Sequence, residues 1–347
     1  MQSARLSWLL APWHIAALAT GAKSFRDNPV IGSPRLNRAG LHVARVRLAH
    51  RMAEWRRKRL SNLVSAEDEA AFARDGFILK PNFLPAADYS ALKQQVISFR
   101  GRARHQFQGD AMTRRIALDR ETLARLPALR DMVESPEWLG LLRYIGSFRL
   151  EPLLYIQTIF SRVRDAPPDP QTRLHADAFH PSVKAWFFLT DVAQEDGPFI
   201  YVPGSHRPTC RRLAWERGAS ILAARSSDFQ SARGSLRITQ QAVRRLGFGD
   251  PKAFAVPQNT LVVADTVGFH ARGLSARPSV RVEIWGYGRR NPFLPWLGLD
   301  PAALPLVKGR AVPLYWSAMD IAEKLQLSSN PWQDGGTASP TEYPAIH

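Results

Sequence analysis

Residues 173–207 read RLHADAFHPSVKAWFFLTDVAQEDGPFIYVPGSHR, and in this apolar, aromatic run His175 and Asp177 stand two apart. Along an extended chain, positions i and i+2 share a face. An imidazole beside a carboxylate in a buried sheet is costly unless something pairs them, and a divalent metal or a plain hydrogen bond would each serve. A metal needs a third ligand. The segment LVVADTVGFHARG supplies His270 at the end of an apolar strand. Two histidines and one carboxylate, leaving three positions open, are the donor set of non-haem Fe(II) and dioxygen chemistry. Eleven residues after His270, in SVRVEIWGYG, lies Arg281, whose guanidinium fork matches a carboxylate. That carboxylate is either Glu283, on the same strand face, or one belonging to a ligand.

These residues need elements to hold them. From residue 150 to about 288 the texture is strand-like: LLYIQTIF, LHADAF, VKAWFFLTDV, FIYVPGS, TLVVADTVGFHARG and SVRVEIWGYG, mostly bounded by turn residues. Gln157 lies on the strand before the motif and Trp186 on the strand after it. Ahead of them, Ser65 and Asp68 read as the cap of a short helix that turns at Asp75-Gly76 into a strand. Helical patterns follow over 86–99 and 120–144. Helices followed by many short strands predict an α+β fold, an antiparallel barrel or jelly roll carrying helices that are mostly N-terminal. Residues 225–250 read as an insertion between strands, where lids are found. Three zones are expected: a basic helical extension over 1–64, the main domain over 65–290, and a C-terminal extension over 291–347 with one helix near 317–326 and a loose tail.

The chain has 347 residues, a formal net charge of +17 and a single cysteine, Cys210. One cysteine excludes internal disulfides and thiolate metal clusters and suits a reducing compartment. Residues 1–65 hold twelve Lys/Arg against two acids, so ten of the seventeen charges sit in the first fifth. No stretch has the roughly 20 apolar residues that a spanning helix needs. Residues 6–22 resemble a signal peptide, but Pro12 and His14 interrupt the apolar run and only Arg5 precedes it. In the helix expected from Leu41, the stripe Leu41, Ala44, Leu48, Met52 and Trp55 lies among many arginines. Such a stripe either rests on an anionic membrane or docks onto the body.

The ordered set HxD, then W-x-x-L-x-D-V, D-G-P-F, V-P-G-S-H-R, a distal His and an Arg eleven residues on resembles the phytanoyl-CoA dioxygenase family of Fe(II)- and 2-oxoglutarate-dependent oxygenases. FARDGFILKPNFL (72–84) resembles the start of that family's domain, and the likeness covers about 65–290. The resemblance implies a double-stranded β-helix with Fe(II) on His175, Asp177 and His270. It implies 2-oxoglutarate chelating through its 1-carboxylate and keto oxygen, with its distal carboxylate on Arg281, and dioxygen at the last position. Decarboxylation to succinate and CO₂ would then drive hydroxylation of an organic substrate. Gln157 is expected to hydrogen-bond the co-substrate, Trp186 to wall the site, His206 to shape a loop and His180 to be exposed.

Related halogenases replace the carboxylate ligand with a small residue; Asp177 favours oxidation instead. Nucleic-acid demethylases of the wider superfamily carry Arg-x-Asn-x-Thr-x-Arg where this chain has Arg281, Glu283, Trp285 and Tyr287, so no specific nucleic acid is expected. The basic, Trp-bearing extension points to a membrane-associated lipid or lipid-linked head group as substrate, on the cytoplasmic surface of an anionic membrane. The alternatives are a soluble hydroxylase of an acyl-CoA or small metabolite and, more remotely, a non-catalytic metal-binding scaffold.

Overall fold

Side-chain alternation along the strands decides the architecture. The computed structural model describes residues 11–344. Its strands are β1 (Phe77–Lys80), β2 (Gly101–Gln108), β3 (Ala111–Ala117), β4 (Leu153–Ser161), β5 (Val183–Phe188), β6 (Phe199–Tyr201), β7 (Lys252–Ala253), β8 (Thr260–Asp265), β9 (His270–Arg272), β10 (Ser279–Gly288) and β11 (Gln333–Ala338). Eight form one sheet in the order β1-β8-β5-β10-β4-β3-β2-β11, and β7-β6-β9 form a second. Every pairing is antiparallel. This is a jelly-roll core with flanking helices.

On β10, β4 and β5 successive residues part company. Ile284, Ile156 and Phe187 enter a core shared with Leu92, Leu129, Trp138 and Leu141 of the covering helices. Trp285, Tyr155, Trp186 and Phe188 enter the space between the sheets, with Phe199, Tyr201 and Phe254. Trp186 stacks on Phe199 at 4.2 Å between ring centroids, and Phe77 meets Phe254 edge-on at 4.9 Å. A period of two thus gives each strand one face for helices and one for the interior.

The helix Ala66–Asp75 begins as its sequence predicts, with Ser65 Oγ accepting the Asp68 N–H at 3.1 Å. It ends at Gly76 with φ +85°, where a Cβ would also stand 2.4 Å from His206 Nδ1. The expected helix over 120–144 is three, Arg120–Arg125, Pro127–Val133 and Pro136–Gly146, because Pro127 and Pro136 each start a new one. The tail is not loose up to Ala338: Gln333–Ala338 adds β11 to the sheet edge. The final helix runs Ala311–Lys324.

The basic helix Leu41–Arg57 turns the expected stripe outward. Its buried face is His42, Val43, Arg45, Val46, Ala49, His50, Ala53, Arg56 and Arg57, while Leu48 and Trp55 are exposed. Arginine is at home on the buried side because it meets chain ends rich in free carbonyls. Arg57 donates to Ile145 O at 2.7 Å and to Asp265 Oδ2 at 2.9 Å; Arg56 donates to Ser147 O at 2.9 Å and Leu294 O at 2.9 Å. Two of those acceptors, Ile145 O and Ser147 O, lie at or beside the C-terminus of helix Pro136–Gly146, where cations are favoured. Part of the high basicity is therefore consumed inside the protein.

Candidate metal centre

His175 and His270 face each other through an antiparallel bridge, each N–H donating to the other's carbonyl at 2.9 Å. Each imidazole is oriented by its own strand: His175 Nδ1 lies 2.8 Å from Arg173 O, and His270 Nδ1 2.8 Å from Gly268 O. A carbonyl can only accept, so both Nδ1 atoms carry the proton and both Nε2 lone pairs are free. Asp177 does not lie in a strand. LHADAF makes only the bridge at His175, after which the Asp177 N–H donates to Thr266 O at 3.0 Å in the turn between β8 and β9. Its Oδ1 still stands 3.7 Å from each Nε2.

The ligand atoms of the three residues lie within 4.8 Å of one another, so together they could hold a metal ion. His270 Nε2 and Asp177 Oδ2 are buried without a hydrogen-bond partner. Lys184 Nζ lies 2.6 Å from Asp177 Oδ2, an ion pair that lacks hydrogen-bond alignment. An unsatisfied buried nitrogen costs about 1–3 kcal/mol, which a divalent cation would relieve. Burial, then the neighbouring His270, hold His175 well below the usual histidine range, so it is neutral. Burial pushes Asp177 up, but Lys184 foremost, then His270 and His175, outweigh it and keep the carboxylate ionised. Neutral imidazoles and an ionised carboxylate are the forms that bind metal.

A cavity of about 310 Å³ opens on this cluster and is also lined by Gln157, Lys184, Trp186, Arg115 and Arg281. Arg281 is buried; its Nε donates to Glu283 Oε2 at 3.1 Å and its Nη1 to Gly197 O at 2.7 Å. The carboxylate partner expected within the protein is therefore present, and Arg281 still borders the cavity. Gln157 bridges its neighbours, donating from Nε2 to Glu283 Oε1 at 2.6 Å and accepting from Arg115 Nε at 2.8 Å. The register explains the chain: Glu283, Gln157 and Arg115 are paired positions on β10, β4 and β3. With both amide atoms engaged, Gln157 holds this row together.

His180 is fully buried, against the expectation of exposure, with Nδ1 at 2.9 Å from Pro181 O. Gly21 of the N-terminal loop covers it. His206 is buried beside Phe72 in the turn after β6. Residues 235–238 dock against the ligand segment, with the Ala176 N–H donating to Leu236 O at 3.1 Å and the Ile238 N–H to Leu174 O at 2.9 Å. Lys184 was not singled out in the sequence, although its spacing of two from Trp186 puts both on one strand face. Arg115 escaped notice with the whole β2–β3 hairpin. It stacks on Trp285 at 4.1 Å, and burial brings it down to about 10, leaving it charged.

Residues 72–221 match the family described as Phytanoyl-CoA dioxygenase (PhyH), a segment that contains His175 and Asp177. No curated protein matches the chain. Among solved structures, HygX from Streptomyces hygroscopicus with nickel and 2-oxoglutarate bound is similar at 17% identity and TM-score 0.42, over 65% of this chain and 87% of that one. The 2-oxoglutarate-dependent epimerase SnoN from nogalamycin biosynthesis is similar at 17% identity and TM-score 0.43, over 68% and 89%. EctD from S. alaskensis with bound Fe follows at 15% identity and TM-score 0.38, over 65% and 77%. The family match thus covers less than half of the chain, taking in His175 and Asp177 and stopping before His270 and Arg281.

Proposed function

We propose that the chain hydroxylates a small organic molecule, with Fe(II) on His175, Asp177 and His270 and 2-oxoglutarate oriented by Arg281. The observation that carries this reading is the buried, partnerless His270 Nε2, set beside an ionised Asp177 in the cavity that Arg281 also borders. When bound, iron, 2-oxoglutarate and dioxygen supply the oxidising chemistry, with succinate and CO₂ as by-products. The chain's own groups do the rest. Glu283 and Gly197 O fix the Arg281 fork, which faces a distal carboxylate. Gln157 holds Glu283 and Arg115 in register, and Trp186, stacked on Phe199, walls the site against water. The test is succinate release from 2-oxoglutarate by the Fe(II)-loaded protein. Fe(II)-dependent release that vanishes in Asp177→Ala supports the reading, and release indifferent to both overturns it.

A second reading is a lipid or lipid-linked head group at an anionic membrane surface. It is favoured by the outer face of helix Leu41–Arg57, which exposes Leu48 and Trp55 among Arg47, Arg51, Lys58 and Arg59. No helix among the described residues is long and apolar enough to cross a membrane. Flotation with phosphatidylglycerol vesicles tests surface binding: loss of binding in Leu48→Ser/Trp55→Ser supports it, and no flotation of the unaltered chain removes it.

A further inference from the structure

The segment ahead of the family match delivers a lysine to the metal ligands. Lys23 Nζ donates to the backbone carbonyl of Asp177, a residue 154 positions away. The loop that carries it is clamped from two sides. Arg45, stacked on Phe179 at 4.2 Å, donates to the carbonyls of Leu18, Thr20 and Ala22 at 3.1, 2.9 and 2.8 Å. On the other side the Phe25 and Arg26 N–H groups both donate to Ala232 O at 3.0 Å. Gly234, at φ +86°, lets Lys23 come close, since a Cβ there would lie 2.2 Å from Lys23 O. So many main-chain fastenings on one irregular loop serve the placement of its side chain.

A cavity of about 550 Å³ lies over this lysine, walled by the loop, by Phe229, Gln230 and Arg233, and by Arg289. Arg233 is spoken for by Asp27 at 3.4 Å. Among the described residues no carboxylate forms an ion pair with Lys23 or Arg289. Elsewhere in the site Lys184 pairs with Asp177, Arg281 with Glu283 and Arg272 with Asp169, while Arg115, bonded to Gln157 and stacked on Trp285, belongs to the metal cavity and not to this one. A divalent metal and the 2-oxoglutarate dianion cancel each other on entering. Lys23 and Arg289 line one cavity without a carboxylate partner, Lys23 reaching from it to the Asp177 carbonyl, and cations placed so invite an anion.

We propose that Lys23 and Arg289 bind an oxyanion, a carboxylate or phosphate, of the substrate in the cavity that they both line. This rests on the oxygenase reading for what happens next to that cavity, and it makes Lys23 a specificity-determining residue contributed from outside the matched domain segment. An ammonium and a guanidinium on one anion give charge-assisted hydrogen bonds, each strong enough that its loss is read as at least a tenfold change.

The test uses the full chain saturated with nickel, as a redox-inert metal, and with 2-oxoglutarate. Inorganic phosphate and, separately, acetate are titrated while tryptophan fluorescence is followed, Trp13 being in the cavity wall. Saturable binding that weakens at least tenfold in Lys23→Met and in Arg289→Met, and returns in Lys23→Arg, is expected. Binding of phosphate alone or acetate alone with that pattern identifies which oxyanion is taken. No saturable binding of either overturns the proposal. So does binding lost in Arg281→Met but kept in Lys23→Met, which would place the anion in the co-substrate's position. A Lys23→Met chain with weakened nickel affinity and unchanged anion affinity also overturns it, leaving Lys23 a tether. The oxygenase reading fails separately, by absence of Fe(II)-dependent succinate release from the unaltered chain.

Discussion

The two faces of the eight-stranded sheet are made by the same strands and obey different rules. Toward the helices, Ile156, Phe187, Val263, Val282 and Ile284 form an apolar layer whose buried charges stand at its margins, Asp265 paired with Arg57 at the end of β8 and Arg114 on β3. One residue along each strand, the interior face interleaves Tyr155, Trp186 and Trp285 with Arg115, Gln157, Lys184, Arg281 and Glu283. Burying that polar row stabilises nothing by itself, since desolvated ion pairs are often no better than well-packed apolar residues. Its concentration on the inner face, around one cavity, teaches that the outer face is built for stability and the inner face for holding charged ligands.

The comparison can be broken by substitution. The largest effect is expected for Asp177→Ala, which should lower Fe(II) affinity by more than the roughly 10–100-fold that loss of an outer hydrogen-bond partner costs. Metal content per chain after dialysis measures it. Next come neighbours on opposite faces of β10. Glu283→Ala strands a buried Arg281 and should cost about 3–5 kcal/mol, with 2-oxoglutarate affinity lost as well. Ile284→Ala should cost about 2–5 kcal/mol and leave that affinity unchanged. Denaturant unfolding paired with 2-oxoglutarate titration separates the two. An Ile284→Ala chain that lost affinity at unchanged stability would dissolve the distinction between faces. Gln157→Leu should be milder, about 1–3 kcal/mol for the partners it leaves unsatisfied.

A pH slope belongs to neither face. Burial, then Arg212 for His50 and Arg289 for His180, bring both histidines down to about 3. The unfolded chain takes up protons below about 6.5 while the folded chain does not. Stability is therefore full above pH 6.5 and falls as the pH is lowered toward 3, by up to about 1.4 kcal/mol per pH unit for each histidine. Urea unfolding of the metal-free protein between pH 7.5 and 5 checks the sign, and His50→Leu should reduce the slope.

What the sequence disclosed was whatever a short local pattern can carry. His175, Asp177, His270 and Arg281 stood out by type and spacing, and the structure groups them around one cavity. The Ser65 cap and the Pro127 and Pro136 breaks are equally local. Hidden were features settled by partners far along the chain. The hairpin GRARHQFQGDAMTRRIA looks too basic for a strand pair until Arg104 finds Asp320 and Arg115 finds Gln157. The stripe Leu41–Trp55 was read for its apolar members, yet the helix buries its arginines because free carbonyls of another helix end await them. Lys23 belongs to a loop whose position depends on Arg45, Ala232 and Gly234 together, and no spacing announces that.

The central claim is that one cavity holds metal and 2-oxoglutarate at once, the first on His175, Asp177 and His270 and the second against Arg281. Calorimetric titration of 2-oxoglutarate into the full chain, with and without nickel, tests it most directly. The account predicts saturable binding that requires the metal, disappears in Asp177→Ala and weakens at least tenfold in Arg281→Met. Binding that ignores the metal, or that is unchanged in Arg281→Met, would contradict it.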